Sequence, residues 1–219
     1  MSSGRGSVNM LTLRCDSWIC LTCLRVFMEH EHLIENPHAV RDHLCRQLFE
    51  RLQHRQHSIV FAESCTAGLI AGSMGRLPGV SEVLAGSAVV YQLATKTAWL
   101  DVSAAMLQTH GAVSQAVSEQ MSRGALKLTP HAHIAASITG HLGPDAPPEL
   151  DGVAWSTIAI RSHAATTCHS RRLDLTSRDE PEQTGETLRI SRQILAVESV
   201  LRFCLEQLEQ FEPLDSVGQ

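Results

Sequence analysis

Apolar positions along this chain follow two rhythms, one of four residues and one of short continuous runs. From His38 to Gln53, Val40, Leu44, Leu48 and Leu52 recur four apart, the spacing of one face of an amphipathic helix. Ser58 to Ala62 is a short apolar run that predicts a buried strand, and Gly68 to Met74 predicts a small-residue helix able to pack closely on a sheet. Ala85 to Tyr91 predicts a second strand, followed by a helix start over Lys96 to Leu100, and Ser114 to Leu128 predicts a longer helix. Ile134 to Thr139 and Val153 to Arg161 predict a third and a fourth strand. A final helix from Glu186 to about Gln210 carries Leu188, Ile194, Leu195, Val197, Val200, Leu201, Leu205 and Leu208, a stripe that reads as core packing. Strands alternating with helices predict a layered α/β domain with a partly parallel sheet.

Residues 1–36 lack a sustained period, and Asn36-Pro37 marks a boundary because the residue before proline is pushed out of helix. The domain is therefore expected over residues 37–212, with an N-terminal extension of poor order over 1–36 and a tail at 213–219. The apolar stretch Trp18 to Phe27 is interrupted by Thr22, Cys23 and Arg25 and is shorter than the roughly 20 residues that span a bilayer. Arg5 and Arg14 ahead of it give the outline of a secretory signal, but Phe27-Met-Glu-His-Glu-His replaces the small-x-small cleavage site. An extension, or an upstream start with Met28 as the initiator, is the expectation.

Composition narrows the function classes. With 219 residues, 43% hydrophobic and 19% charged, the chain is long enough for one well-buried core. Its 18 basic and 23 acidic side chains give −5, which argues against a duplex nucleic-acid surface and leaves room for a small anionic ligand. Seven scattered cysteines, Cys15, Cys20, Cys23, Cys45, Cys65, Cys168 and Cys204, are odd in number and point to a reducing cytoplasm rather than a disulfide scaffold. Cys20-x-x-Cys23 is half of a zinc pattern at most, since a closed structural site needs four ligands. No metal, cofactor or membrane is called for.

In open α/β sheets, ligands collect beyond the carboxyl ends of strands, which singles out the loops after Ala62, Val90 and Thr139. The first places Ser64 and Thr66 at a strand-to-helix turn, either an ordinary cap or a site whose free amides suit an anion or oxyanion. The second carries Tyr91, the one tyrosine of the chain, and Lys96 five residues on. A serine hydroxyl needs a base, which a desolvated lysine supplies, and a tyrosine can relay the proton; the plain alternative is a core tyrosine and a snorkelling lysine. The third, Thr139-Gly-His-Leu-Gly-Pro-Asp145, has glycines that permit close backbone approach and His141, an acid, a substrate contact or neither.

Together, AESCTAG over 62–68, the VVY…K pattern ending at Lys96, HGAVS over 110–114, TGHLGPD over 139–145 and GVAW over 152–155 resemble the C-terminal domain of the CinA family, which includes stand-alone nicotinamide-nucleotide amidases. The resemblance spans about residues 38–210. It implies a single three-layer α/β/α domain with a mixed sheet, often a homo-oligomer, that hydrolyses nicotinamide mononucleotide to nicotinate mononucleotide and ammonia. It assigns the nucleophile to Ser64, with Lys96 and Tyr91 handling protons. Substrate contacts fall on Glu63, Cys65, Thr66 and Gly68 of the first loop and Gly140, His141 and Gly143 of the third. Arg178 and Arg192 would recognise phosphate, to which a guanidinium is suited. The leader of 36 residues is too short for the separate N-terminal nucleotide-hydrolysing domain of full-length relatives, so no pyrophosphatase activity is expected.

The chain departs from the family pattern at Ala67, where a glycine is common, and at Gln92-Leu93, where a serine-asparagine pair is usual. It also departs at His141-Leu142 and Ala146-Pro147. These changes spare Ser64, Tyr91 and Lys96 and touch the pocket wall. They leave two alternatives to the amidase: a silent paralogue that binds a nucleotide or a protein partner, and a hydrolase of another amide or ester.

Overall fold

A computed structural model describes residues 38–162, 165–176 and 184–210. The described chain runs as helix α1 (Ala39–His54), strand β1 (Ile59–Glu63), α2 (Leu69–Met74), a 3-10 turn (Val80–Glu82) and β2 (Leu84–Val89). It continues with α3 (Leu93–Leu100), α4 (Ala104–His110), α5 (Gln115–Leu128), β3 (Ile134–Gly140), β4 (Val153–Arg161), β5 (Thr166–Asp174) and α6 (Gly185–Gln210). The expectations for the N-terminal extension, the tail and Arg178 fall outside the described residues.

The five strands form one sheet in the order β2-β1-β3-β4-β5. β1 is parallel to both β2 and β3, whereas β4 is antiparallel to β3 and β5. This is the expected mixed sheet, and helices cover both of its faces. On one face, Ile59, Phe61, Ile134, Ala136 and Ile138 pack under α1, α2 and α6 through Leu44, Leu48, Leu52, Ile70, Val197 and Leu201. On the other, Val60, Ala62 and Ala135 pack against Leu100, Val117, Met121 and Ala125 of α3 and α5. The alternation along β1 thus feeds two cores, which explains why its residues are buried throughout and read as a continuous apolar run. Each fully buried large side chain contributes about 1.5–3 kcal/mol.

Two departures from the sequence pattern have simple physical causes. Val40 is largely exposed while Arg41 is buried. A four-residue repeat advances about 40° per step on a helix of 3.6 residues per turn, so the stripe that buries Leu44, Leu48 and Leu52 has rotated past Val40 at the first turn. Helix α3 begins at Leu93 rather than Lys96, because Gln92 takes an extended conformation at the N-cap and its carbonyl accepts the Thr95 hydroxyl at 2.8 Å.

One close approach positions the later site. A Cβ added at Gly124 of α5 would lie 2.0 Å from the carbonyl oxygen of Leu100, the last residue of α3. Only glycine lets the two helices meet there. No helix among the described residues is long and apolar enough to cross a membrane.

Candidate active site

β1, β2 and β3 run in the same direction, so the three loops singled out by the sequence leave the sheet at one end. Ser64 follows β1 directly, and its amide is spent on the Ile138 carbonyl of β3 at 3.1 Å. The chain then turns through Ala67 (φ 52°) and Gly68 (φ 93°) into α2, and Ala67 N–H donates to Ser64 O at 3.0 Å. Both residues are in the left-handed region, where a side chain costs about 1–2 kcal/mol. A Cβ at Gly68 would also press on Val89 Cγ2 at 3.3 Å. Among the described residues, the Cys65 and Thr66 amides donate to no backbone carbonyl.

Lys96 arrives from the second turn of α3. Its ammonium donates to Ser64 Oγ at 2.7 Å and to Val90 O at 2.7 Å. Lys96 is 1% exposed and Ser64 7%, so this contact is made out of water, unlike that of a snorkelling surface lysine. Burial lowers the Lys96 pKa from 10.5 to about 8, against a smaller opposing influence of Cys65. The neighbouring Cys65 thiol is itself pushed up to about 12 by burial, so it stays protonated at neutral pH.

Tyr91 is 53% exposed and sits at the rim. Arg189, on the first turns of α6, donates to the Tyr91 hydroxyl and to Gly143 O, the latter at 2.8 Å. Among the described residues no hydrogen bond joins Tyr91 to Ser64 or Lys96. One turn further along α6, Gln193 donates to Cys65 O at 3.2 Å. Helix α6 therefore touches all three loops. Neither Arg189 nor Gln193 is singled out in the sequence; their i, i+4 spacing between Leu188 and Ile194 of the apolar stripe is the only trace.

The other expected contacts are distributed as follows. Glu63 is fully buried and accepts four hydrogen bonds from within the fold, and Thr66 Oγ1 is one of the donors. The close approach that Gly140 permits is to β4, where a Cβ would sit 2.5 Å from Ala154 Cβ. His141 is exposed, with its amide donating to Val153 O at 2.9 Å. Gly143 (φ 65°) passes against Arg192, whose Nη1 would lie 2.8 Å from an added Cβ. Arg192 is 3% exposed and grips Asp151 with two bonds of 2.7 and 2.9 Å, which hold the Asp151 carboxyl below its ordinary pKa. Its guanidinium faces this carboxylate at the start of β4, while Arg189 is the arginine at the rim. No group of three or more His, Cys, Asp or Glu side chains among the described residues is placed to hold a metal ion.

A family model described as the CinA C-terminal domain matches residues 41–189. A CinA-like protein from Mycolicibacterium vanbaalenii is 39% identical over 127 residues, covering 57% of this chain and 29% of that protein. Another from Desulfotalea psychrophila is 38% identical over 104 residues, 48% of this chain and 25% of that protein. The chain thus spans less than a third of the length of these curated relatives. Among solved structures, a competence/damage inducible protein from Agrobacterium tumefaciens superimposes with a TM-score of 0.67 at 27% identity, covering 77% of this chain and 95% of that one. A CinA superfamily protein from Klebsiella pneumoniae gives a TM-score of 0.67 at 25% identity, covering 78% and 98%. The motif-bearing loops, the mixed sheet and these matches lead to one conclusion: the chain belongs to the CinA C-terminal domain family.

Proposed function

We propose that this protein is an amidohydrolase that releases ammonia from nicotinamide mononucleotide, with Ser64 as nucleophile and Lys96 as its base. The observation that carries this reading is the 2.7 Å contact between Lys96 Nζ and Ser64 Oγ, both groups buried. A pKa of about 8 leaves roughly one lysine in ten neutral at pH 7, against about one in 3,000 at the ordinary value. Neutral Lys96 takes the hydroxyl proton as Ser64 Oγ attacks the carboxamide carbon, and returns it to the nitrogen as the C–N bond breaks and ammonia leaves. Water, deprotonated by the same lysine, then cleaves the acyl-enzyme to the carboxylate. The Cys65 and Thr66 amides suit the developing oxyanion. Tyr91 and Arg189 serve substrate orientation at the rim, and Arg189 is a donor for the nucleotide's phosphate.

The test is ammonia release from nicotinamide mononucleotide by purified protein, with Ser64→Ala and Lys96→Ala alongside. Release is expected from the wild type, with kcat rising with pH through about 8 as Lys96 loses its proton and a fall of at least ~10³-fold in either variant. Folded wild-type protein that binds the nucleotide and releases no ammonia would identify a silent paralogue instead. Release from another amide or ester alone would leave the dyad standing and change the substrate.

A further inference from the structure

Lys96 and Ser64 belong to different elements, and their contact depends on how the turn after β1 is set against the segment after β2. Glu63 is bonded to both. Its backbone carbonyl accepts Val90 N–H at 2.8 Å, and the Val90 carbonyl in turn accepts the Lys96 ammonium at 2.7 Å. Its side chain holds the other half. Oε2 accepts Thr66 Oγ1–H at 2.8 Å and Ile70 N–H at 3.1 Å, and Oε1 accepts Ala71 N–H at 3.0 Å and Ser87 Oγ–H at 3.1 Å. Three of these donors lie on the turn and helix that follow Ser64, and the fourth lies on β2. The carboxylate is 0% exposed, and each oxygen carries two donors. These four bonds replace the hydrogen bonds to water that burial of the group removes.

We infer that Glu63 is the positioning residue of the Ser64–Lys96 pair: one side chain and one carbonyl fix both partners' supports and so set the distance between hydroxyl and amine. The inference rests on the proposed dyad and goes beyond it, since it removes Glu63 from the substrate contacts. Glutamine cannot substitute. An amide group has one acceptor oxygen, and in either orientation its NH₂ faces a backbone N–H, that of Ile70 or that of Ala71. Backbone N–H groups cannot rotate away, so the turn must shift.

The experiment uses a fluorophosphonate on the whole protein and follows Ser64 labelling by intact mass. In that reaction Ser64 Oγ bonds to phosphorus, the P–F bond breaks, fluoride leaves and the hydroxyl proton passes to Lys96. Glu63→Gln is expected to lower the labelling rate constant ~10- to 100-fold, in line with a misplacement of about 1 Å. It is also expected to raise the pH midpoint of that rate above the wild-type value of about 8 as Lys96 loosens. Ser87→Ala and Thr66→Val, which each remove one of the four bonds, are expected to slow labelling by smaller factors, and they carry the test if Glu63→Gln does not fold. A purely structural role would reduce the labelled fraction and leave rate constant and midpoint unchanged, and that result in the folded variants overturns the inference. Absence of labelling in the wild type would overturn the dyad itself.

Discussion

Ala67 shows how much a single residue can reveal about the constraints on this turn. It lies in the left-handed region at φ 52°, three residues after Ser64, where the resemblance calls for glycine. Its strain is retained because Ser64 O, Thr66 and Glu63 together determine the turn's path. Ala67→Gly removes a penalty of about 1–2 kcal/mol and adds about 0.4–1 kcal/mol of unfolded-chain entropy, so a net gain of up to about 1.5 kcal/mol is expected in urea unfolding. An unchanged or lower midpoint would show that the strain is relieved elsewhere. At this scale the sequence brings out Ser64 and Lys96 by residue type, and the structure sets their side chains 2.7 Å apart. The sequence was least informative about Glu63: a carboxyl group beside Ser64 reads as a ligand contact, and only the four donors around it show that its oxygens are taken up within the fold. Arg192 is similar, a phosphate-binding type of residue that the fold sets against Asp151.

Among the elements, those with a strong apolar period were legible in the sequence. β4 was located at its full length, and α5 and β3 to within a residue, since buried strands and an amphipathic helix leave clear signals. β5 and α4 were not anticipated. Thr166–Asp174 is a polar edge strand with His169, Arg171, Arg172 and Asp174, and it gains its place by pairing with β4 rather than from its own pattern. Ala104–His110 is one short helix capped by Ser103, whose Oγ accepts Met106 N–H at 3.4 Å, and it has no buried stripe. Helix α6 was legible as packing, and as part of the site only through Arg192, which the fold sets against Asp151. Its apolar face was plain from Leu188 onward, but Arg189 and Gln193 reach Tyr91, Gly143 and Cys65 across chain separations that no local pattern encodes.

For the whole molecule, the sheet separates chemistry from support: the candidate site lies at the carboxyl ends of the parallel strands, and a histidine pair lies at the opposite end. His57 and His133 stack at 4.7 Å between centroids. His133 Nδ1 accepts the Ser58 amide at 3.1 Å at the entry to β1. Burial, with the nearby Arg161 cation, lowers the His133 pKa below 6.5. A histidine whose folded pKa is depressed contributes stability that is complete above its unfolded pKa and is lost as pH falls through the folded one. Thermal stability should therefore decline below about pH 6.5, and His133→Gln should flatten that decline in melts between pH 5 and 8. An identical slope in the variant would place the titration elsewhere.

The approach of α5 to α3 at Gly124 carries a consequence for how variation at a remote position is read. A methyl group there, at 2.0 Å from the Leu100 carbonyl, has nowhere to go unless α3 moves, and Lys96 is carried one turn away on that same helix. Gly124→Ala would rank as a mild change on any scale of volume or hydropathy, with overpacking of about 1–3 kcal/mol. Its larger effect should be a fluorophosphonate labelling rate lowered ~10- to 100-fold in protein that still folds; an unchanged rate would mean that α3 yields without carrying Lys96 along. Position 124 acts on this site as a spacer, and its tolerance to change is measured in ångströms at an amine it never touches.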